Sequence, residues 1–174
     1  MYIPEENRGS VFIRLTKVIM LVTGLVLGLF IARIFIIPFT VLNESMSPNL
    51  KRGDIVYVLR HITPAVGDII LFNSPVEPDR VLLKRVIAKE GDTIEISRKK
   101  IYKNSQEFKS DWEVLSNDDR IFPMNFSYRD NMQAMRLKRN EFFVLGDNID
   151  YSFDSRTFGA INKDAVIGKV IFKK

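Results

Sequence analysis

Two residues of this sequence could form the nucleophile and the base of a hydrolase. Ser45 lies in the segment 43–48 (NESMSP), and Lys84 lies in a run of aliphatic residues. If that run is a strand, Lys84 shares one face with Leu82 and Val86, because side chains alternate between the faces of a strand. Aliphatic neighbours exclude water, which disfavours the ammonium form and lowers the pKa of a lysine from about 10.4. A neutral lysine amine can take the proton of a serine hydroxyl, so this pair could perform nucleophilic catalysis without histidine.

Each of these two residues also has an ordinary structural interpretation. A serine in a turn near a proline, such as Ser45 before Pro48, is common in loops. A lysine on a strand can extend past its apolar neighbours so that its ammonium group reaches water. The local sequence around Ser45 and Lys84 leaves both interpretations open.

A third segment, residues 146–156 (GDNIDYSFDSR), is dense in side chains that form hydrogen bonds. It holds three Asp, one Asn, two Ser and one Arg directly after an apolar run. An ordinary turn uses two or three such residues. We therefore expect this loop to brace a neighbouring group.

The absence of cysteine and the single histidine exclude several kinds of chemistry. Without cysteine the chain has no disulfide, no thiol nucleophile and no Cys-ligated metal. With one histidine it cannot build a metal site from several histidines, and a Ser-His-Asp triad would have to use His61. That residue lies between Arg60 and Ile62 with no motif around it, so we interpret it as a surface or turn residue. The sequence predicts no metal and no cofactor.

The elements that must position these residues begin with a long apolar segment at 18–37. A helix of about 20 apolar residues spans the hydrocarbon core of a bilayer, and Arg33 near its far end can extend to the headgroups. A cleaved signal peptide is the alternative, but cutting after Ala32 would place Phe30 where a small residue is required. We therefore predict an uncleaved transmembrane anchor.

The charges that flank this anchor predict its orientation. Arg8, Arg14 and Lys17 lie within a short N-terminal segment, residues 1–17, which the positive-inside rule places in the cytoplasm. The remainder of the chain is then exported. The net charge of +5 is dispersed along the sequence, which does not predict nucleic-acid binding and is equally compatible with an anionic membrane surface.

Beyond the anchor, short runs rich in Val, Ile and Phe predict a mainly β domain, either a sandwich or a partly open barrel. Gly, Pro, Asn or Asp bounds each run. The core is expected at 38–102 and 141–174, with an irregular insertion between core strands at 103–140. The predicted strands lie at 54–60, 68–73, 80–88, 93–97, 141–147 and 165–172.

Taken in order, these segments resemble the bacterial type I signal peptidases (leader peptidases), membrane-bound serine endopeptidases with a Ser-Lys dyad. Four sequence boxes carry the resemblance, over about residues 38–170. They are Ser45-Met46-x-Pro48, the pair 52–56 (RGDIV) and 67–70 (GDII), the segment 83–86 (LKRV) with Gly91-Asp92, and 146–156.

The resemblance implies a role for individual residues of the site. Ser45 would attack the scissile carbonyl, and Lys84 would act as the general base. Ser152 would orient the lysine amine, and Asp154 and Arg156 would brace their loop.

The resemblance also implies an oxyanion hole, formed by the backbone N–H of Ser45 and the side chain of Asn43. Many relatives carry Ser or Gly at the position of Asn43. Ile149 occupies a position that is often Arg in the family, which removes no catalytic group.

The implied substrates are the signal peptides of exported preproteins, which carry small residues at −1 and −3 and bind extended beside a strand. The apolar pockets would be shaped by Val41, Met46, Leu50, Leu82 and Leu83, together with Asn43. The implied partners are these peptides, the lipid bilayer and a nearby export translocon. We expect a monomeric, single-pass protein of the cell membrane, which cuts at the outer face because Ser45 follows eight residues after position 37.

Two other functions are compatible with parts of the sequence. A self-cleaving Ser-Lys peptidase would carry a soluble or DNA-binding N-terminal segment where this chain has an apolar one, and we find no Ala-Gly or Cys-Gly cleavage site. A membrane-anchored β module without catalysis would be expected to lose Ser45 or Lys84, and both are present.

Overall fold

The computed structural model describes residues 5–174, and its first element is the helix α1 (Glu5–Phe35). The sequence predicted a spanning helix at 18–37, so α1 ends two residues earlier than predicted. Ile37 precedes Pro38, and a proline ring disfavours helical geometry in the residue before it. The chain therefore changes to extended geometry at this point.

The apolar part of α1 is longer than the predicted anchor. By length and composition, the 25 residues Val11–Phe35 are sufficient to cross a membrane. Of the N-terminal segment predicted at 1–17, residues 5–17 belong to α1, while residues 1–4 lie outside the described part of the chain.

After α1 the described chain forms strands and two short helical turns. The strands are β1 (Ile36–Thr40), β2 (Ile55–Arg60), β3 (Ile69–Asn73), β4 (Val81–Lys89), β5 (Thr93–Ser97), β6 (Lys100–Lys103), β7 (Gln106–Glu107), β8 (Met132–Arg136), β9 (Glu141–Leu145), β10 (Ile161–Asn162) and β11 (Val166–Lys173). The helical turns are α2 (Ser155–Phe158) and a 3₁₀ turn at Lys163–Ala165.

Seven of these strands form one sheet in the order β1-β2-β11-β3-β4-β9-β10. The pairings from β2 to β10 are antiparallel. Register shifts lie between Val170 and Phe172 in β11, and between Val86 and Ala88 in β4. Such bulges increase the local twist and bend a strand, so the sheet curls into a partly open barrel. The predicted mainly β core behind one N-terminal apolar helix is confirmed.

A second sheet of four strands, in the order β7-β6-β5-β8, changes the prediction for residues 103–140. The sequence predicted β5 in the core and an irregular insertion at 103–140, but β7 and β8 lie within that insertion and join β5 and β6. The β8 segment (MQAMR) has no β-branched residue. Its strand conformation therefore depends on pairing with β5 rather than on local propensity.

The strands β4 and β9 are buried on both faces. From β9, Phe142 and Val144 pack into one apolar cluster, whereas Phe143 and Leu145 pack into another. This alternation follows from the side-chain period of a strand. A polar side chain in the middle of β4 is therefore surrounded by apolar side chains and neighbouring strands.

Candidate active site

Ser45 lies in a compact turn that follows β1. Backbone hydrogen bonds hold the start of this turn, from the Val41 N–H to the Asp54 carbonyl (2.8 Å) and from the Gly53 N–H to the Val41 carbonyl (2.9 Å). Within the turn, the Leu50 N–H donates to the Met46 carbonyl (2.9 Å). The Ser45 residue is 6% exposed, so its hydroxyl faces the interior of the protein.

Lys84 lies in the middle of β4, opposite Ile70 of β3, and is 2% exposed. Its Nζ donates to Ser45 Oγ at 2.6 Å and to the Leu83 carbonyl at 3.1 Å. The structure thus brings together two residues that are 39 positions apart in the sequence. The alternative in which Lys84 extends to solvent does not occur.

Burial decides the protonation of Lys84. Desolvation lowers the pKa of the Lys84 amine from 10.5 to about 8, because an ammonium ion loses its hydration inside the protein. The Asp154 carboxylate raises this pKa, and the nearby guanidinium groups of Arg80 and Arg156 lower it. The result is an amine that can lose its proton near neutral pH.

The loop at 146–156 packs against the backbone of Ser45 through Gly146. A Cβ atom at Gly146 would overlap both Ser152 Oγ and the Ser45 carbonyl oxygen, so only glycine fits between them. The Asn148 N–H also donates to the Ser45 carbonyl, at 3.1 Å. These contacts fix the nucleophile segment against the loop.

Asp154 and Arg156, for which a bracing role was predicted, form a buried ion pair within this loop. Arg156 Nε and NH2 donate to Asp154 Oδ1 and Oδ2, both at 2.8 Å, and Asp154 also accepts the Gly146 N–H (3.1 Å). Burial works to raise the pKa of Asp154, but the charge and hydrogen bonds of Arg156 outweigh it and the pKa is lowered. Asp154 therefore remains a carboxylate.

Ser152 lies beside Gly146, and its hydroxyl is buried. Its Oγ has no hydrogen-bond partner among the described residues, although it is close enough to the Asp154 carboxylate to help lower that pKa. Ser152 Oγ therefore lies near the Asp154 carboxylate without the geometry of a hydrogen bond. The amine of Lys84 donates to Ser45 and Leu83 rather than to Ser152.

The side chain of Asn43, which was expected to donate a hydrogen bond to the oxyanion, accepts one in this structure. The Ser45 N–H donates to Asn43 Oδ1 at 3.1 Å, so the side chain accepts a hydrogen bond where a donor was expected. This contact is an Asx turn, in which an asparagine side chain binds the backbone two residues further on. In this arrangement, the Ser45 N–H is already engaged.

A cavity of about 370 Å³ adjoins Ser45. Of the residues predicted to shape substrate pockets, Val41, Asn43, Met46, Leu82 and Leu83 line it. Leu50 is buried at 3% exposure but is not among the lining residues. Sequence reasoning missed the remaining walls, which are formed by Phe39, Leu42, Asp79, Arg80 and Val81.

Comparisons with known proteins decide the family. A match to the family described as "Signal peptidase, peptidase S26" covers residues 12–173. The chain belongs to the signal peptidase family.

Two sequence relatives agree with this assignment. "Signal peptidase IB" of Staphylococcus aureus is 28% identical over 167 residues, which cover 90% of this chain and 86% of the relative. "Probable signal peptidase I-1" of Synechocystis is 31% identical over 164 residues, which cover 88% and 76%. The crystal structure of a signal peptidase I from Enterococcus faecalis aligns with a TM-score of 0.49 and 28% identity, over 63% of this chain and 98% of that one.

Arg85 and Asp147 form a buried pair to which sequence reasoning gave no role. Arg85 Nε and NH2 donate to Asp147 Oδ1 and Oδ2 at 2.7 and 2.6 Å, and the guanidinium lies 4.5 Å from the ring centroid of Trp112. Asn49 Nδ2 also donates to Asp147 Oδ2, at 2.9 Å. Their position in the sequence could have indicated a role, because Arg85 directly follows Lys84 and Asp147 directly follows Gly146.

His61 follows β2 with a φ of 59° and is exposed. It does not line the cavity beside Ser45. Its position is that of a turn residue, as predicted.

The buried amine predicts a pH-dependent difference in stability between the wild type and its Lys84→Met variant. Because the folded-state pKa is lowered to about 8, the unfolded chain binds more protons between about pH 8 and 10.5. The stability of the wild type should therefore rise relative to Lys84→Met across this window, by roughly 3 kcal/mol in total. Urea unfolding of the detergent-solubilised chain at pH 7, 9 and 10.5 would measure it.

Lys89→Met is the matched control, because Lys89 lies at the exposed end of β4 and stays in water in both states. It should not show the same rise. A difference between wild type and Lys84→Met that stays constant with pH would contradict the burial of a neutralised amine.

Proposed function

We propose that this chain is a membrane-bound serine endopeptidase that removes N-terminal signal peptides from exported preproteins. Ser45 is the nucleophile and Lys84 is its general base. The observation that carries the proposal is the 2.6 Å contact between Ser45 Oγ and Lys84 Nζ, in a site where burial lowers the pKa of the amine to about 8. Membership in the signal peptidase family supports the same reaction class.

The first half of the reaction transfers the acyl part of the preprotein to Ser45. The neutral Lys84 amine takes the Ser45 proton as Oγ attacks the scissile carbonyl carbon. Lys84 then donates that proton to the leaving nitrogen, the peptide bond breaks, and an ester with Ser45 remains. Water, deprotonated by the same amine, attacks the ester carbonyl carbon; the bond to Ser45 Oγ breaks, and Lys84 returns the proton to Oγ.

The Asp154–Arg156 pair keeps the electrostatics of this base favourable. An unpaired buried carboxylate near Lys84 would stabilise the ammonium and prevent proton abstraction. The guanidinium of Arg156 compensates the charge of Asp154 through two hydrogen bonds of 2.8 Å. With a pKa of about 8, roughly one amine in ten is neutral at pH 7, which sustains general-base catalysis.

Oxyanion stabilisation requires a rearrangement at Asn43. The developing oxyanion would accept the Ser45 N–H, which in this structure donates to Asn43 Oδ1. Rotation of the exposed Asn43 side chain frees this N–H and can present the amide Nδ2 as the second donor. Ser152, whose buried hydroxyl has no hydrogen-bond partner among the described residues, is suited to orient the lysine amine once Ser45 is acylated.

The substrate specificity that we propose follows from the 370 Å³ cavity. Its walls come from β4 on one side and from residues 39–46 on the other, so an extended peptide between them can add to the sheet as a strand. Val41, Met46 and Leu83 are at least 93% buried and leave shallow apolar pockets. Such pockets accept small residues at −1 and −3 and exclude bulky ones.

The N-terminal helix supports a location of this reaction at a membrane. Val11–Phe35 is long and apolar enough to span a bilayer. Arg8 lies before it, and Arg14 and Lys17 lie in its first turns, which favours a cytoplasmic N-terminus. The catalytic domain would then lie on the outer face of the cell membrane, close to the export translocon. A monomer contains every residue that the mechanism uses.

The central test is the cleavage of a preprotein by detergent-solubilised enzyme. Ser45→Ala removes the nucleophile, and Lys84→Arg keeps a cation that cannot be deprotonated. We expect each variant to lose at least about a thousandfold in kcat/KM, because both residues act in one transition state. Product formation is measured by mass spectrometry of the cleaved N-terminus.

The matched controls are Ser74→Ala, in the turn after β3, and Lys89→Met, at the end of β4. Both lie outside the cavity and should retain wild-type rates. Retained activity in Ser45→Ala or Lys84→Arg would overturn the mechanism and favour a β module whose activity lies elsewhere.

A second prediction concerns the pocket wall at Leu83. Leu83→Ala should enlarge the cavity, so the kcat/KM for a peptide with Val at −1, relative to Ala at −1, should rise about tenfold. Leu71→Ala is the control, because Leu71 pairs with Leu83 across the sheet, is also buried, and does not line the cavity. An equal change of this ratio in both variants would refute the assignment of Leu83 to the pocket.

A further inference from the structure

A second cavity adjoins the nucleophile segment. It has a volume of about 580 Å³ and shares Asn43 with the first cavity. Its other walls are different, because they come from the turn after Ser45 and from two loops rather than from β4. The lining residues are Asn43, Glu44, Ser47, Leu115, Asn148 and Tyr151.

Hydrogen bonds fix the walls of this second cavity. Asn148 donates through its backbone N–H to the Ser45 carbonyl (3.1 Å) and through Nδ2 to the Glu44 carbonyl (3.3 Å). Leu115 pairs with the same loop, since its N–H donates to the Asp147 carbonyl (2.8 Å) and its carbonyl accepts the Ile149 N–H (2.9 Å). Three segments that are distant in sequence are therefore held together by hydrogen bonds and form one surface beside the nucleophile.

A peptide that is cut at Ser45 must continue past the scissile bond. Under the proposed function, the residues before this bond occupy the first cavity, between β4 and residues 39–46. The chain after the bond must leave past Asn43, which lines both cavities. We propose that the second cavity binds the first residues of the mature chain and selects them by charge through Glu44.

Glu44 supplies the charge selectivity. It is the one charged residue among the six that line the cavity, and it directly precedes Ser45 in the chain. Its carboxylate accepts a hydrogen bond from Ser47 Oγ, which holds the charge at the cavity wall. An acidic residue at +1 or +2 is therefore repelled and a basic one attracted, by the like- and opposite-charge interactions that determine specificity at interfaces.

The apolar part of the cavity provides contact area without charge. The ring of Tyr151 is 79% exposed, and Leu115 lies on the neighbouring segment. An exposed aromatic ring beside a substrate channel can pack against a side chain at low entropic cost. Tyr151 therefore contributes to substrate binding for neutral and charged peptides alike.

The experiment uses peptides that are identical through −1 and differ at +1 and +2, where they carry two Lys, two Gln or two Glu. The kcat/KM of the detergent-solubilised full chain is measured for each peptide at low ionic strength. Since Glu44 is exposed, we expect the Lys peptide to exceed the Glu peptide by about three- to tenfold in the wild type. Glu44→Gln should level this ratio, and Glu44→Lys should invert it.

Glu95→Gln is the matched control, because it removes the same charge from an exposed position of β5, outside the cavity. It should preserve the wild-type ratio. Tyr151→Ala should raise KM for all three peptides by a similar factor, with little change in their ratios.

Two results would overturn this inference. One is a wild-type ratio of unity between the Lys and Glu peptides, and the other is a ratio in Glu44→Gln that equals that of the wild type. Both results are ratios of kcat/KM, which can be measured only if the enzyme cleaves, and the peptides have the same residues at −1 and −3. Failure of the proposed function would give a different result, namely that Ser45→Ala continues to cleave.

Discussion

The removal of the Lys84 amine from water is the constraint on which the remainder of the site depends. An ammonium group is strongly hydrated, and folding places this one in the centre of β4, where the residue is 2% exposed. The cost of its desolvation appears as a pKa of about 8. A strand that is buried on both faces is therefore a requirement of the chemistry as well as of the fold, because an exposed strand would leave the lysine fully charged.

The charges around Lys84 are arranged so that they do not raise its pKa back to the usual value. The Asp154 carboxylate is compensated by Arg156, which also donates to the Ile149 carbonyl at 2.9 Å and to the Arg129 carbonyl at 3.1 Å. Asp147 is likewise compensated by Arg85. Buried pairs of this kind contribute little net stability, so their role here is to hold the parts of the site in position. They tie the 146–156 loop to β4 through Arg85, to the segment before β8 through the Arg129 carbonyl, and to the segment that carries Ser45 through Asn49, which donates to Asp147.

Much of this arrangement could be predicted from the sequence, and the exceptions have physical causes. Five strands of the main sheet were recognisable because their β-branched runs end at turn residues, whereas β1 and β10 were not predicted. The pairing of Ser45 with Lys84 followed from the resemblance that the four boxes carry. The strands β7 and β8 were missed because they form through pairing with the second sheet. Asn43 was predicted as a donor, yet its amide oxygen accepts the Ser45 N–H, because an Asx turn competes locally for that group. The second cavity was not predictable, because Leu115 and Asn148 meet only through tertiary structure.

The most direct test of the account is a titration of the Lys84 amine itself. Nuclear magnetic resonance of the full chain in detergent, with ¹⁵N and ¹³C in its lysines, reports the protonation of each Nζ as the pH is raised. The account predicts one lysine that titrates at about pH 8 and whose signal is absent in Lys84→Met. If the signal that disappears in Lys84→Met instead titrates near about pH 10.4, the usual value for lysine, the amine is not desolvated and the proposed base is contradicted.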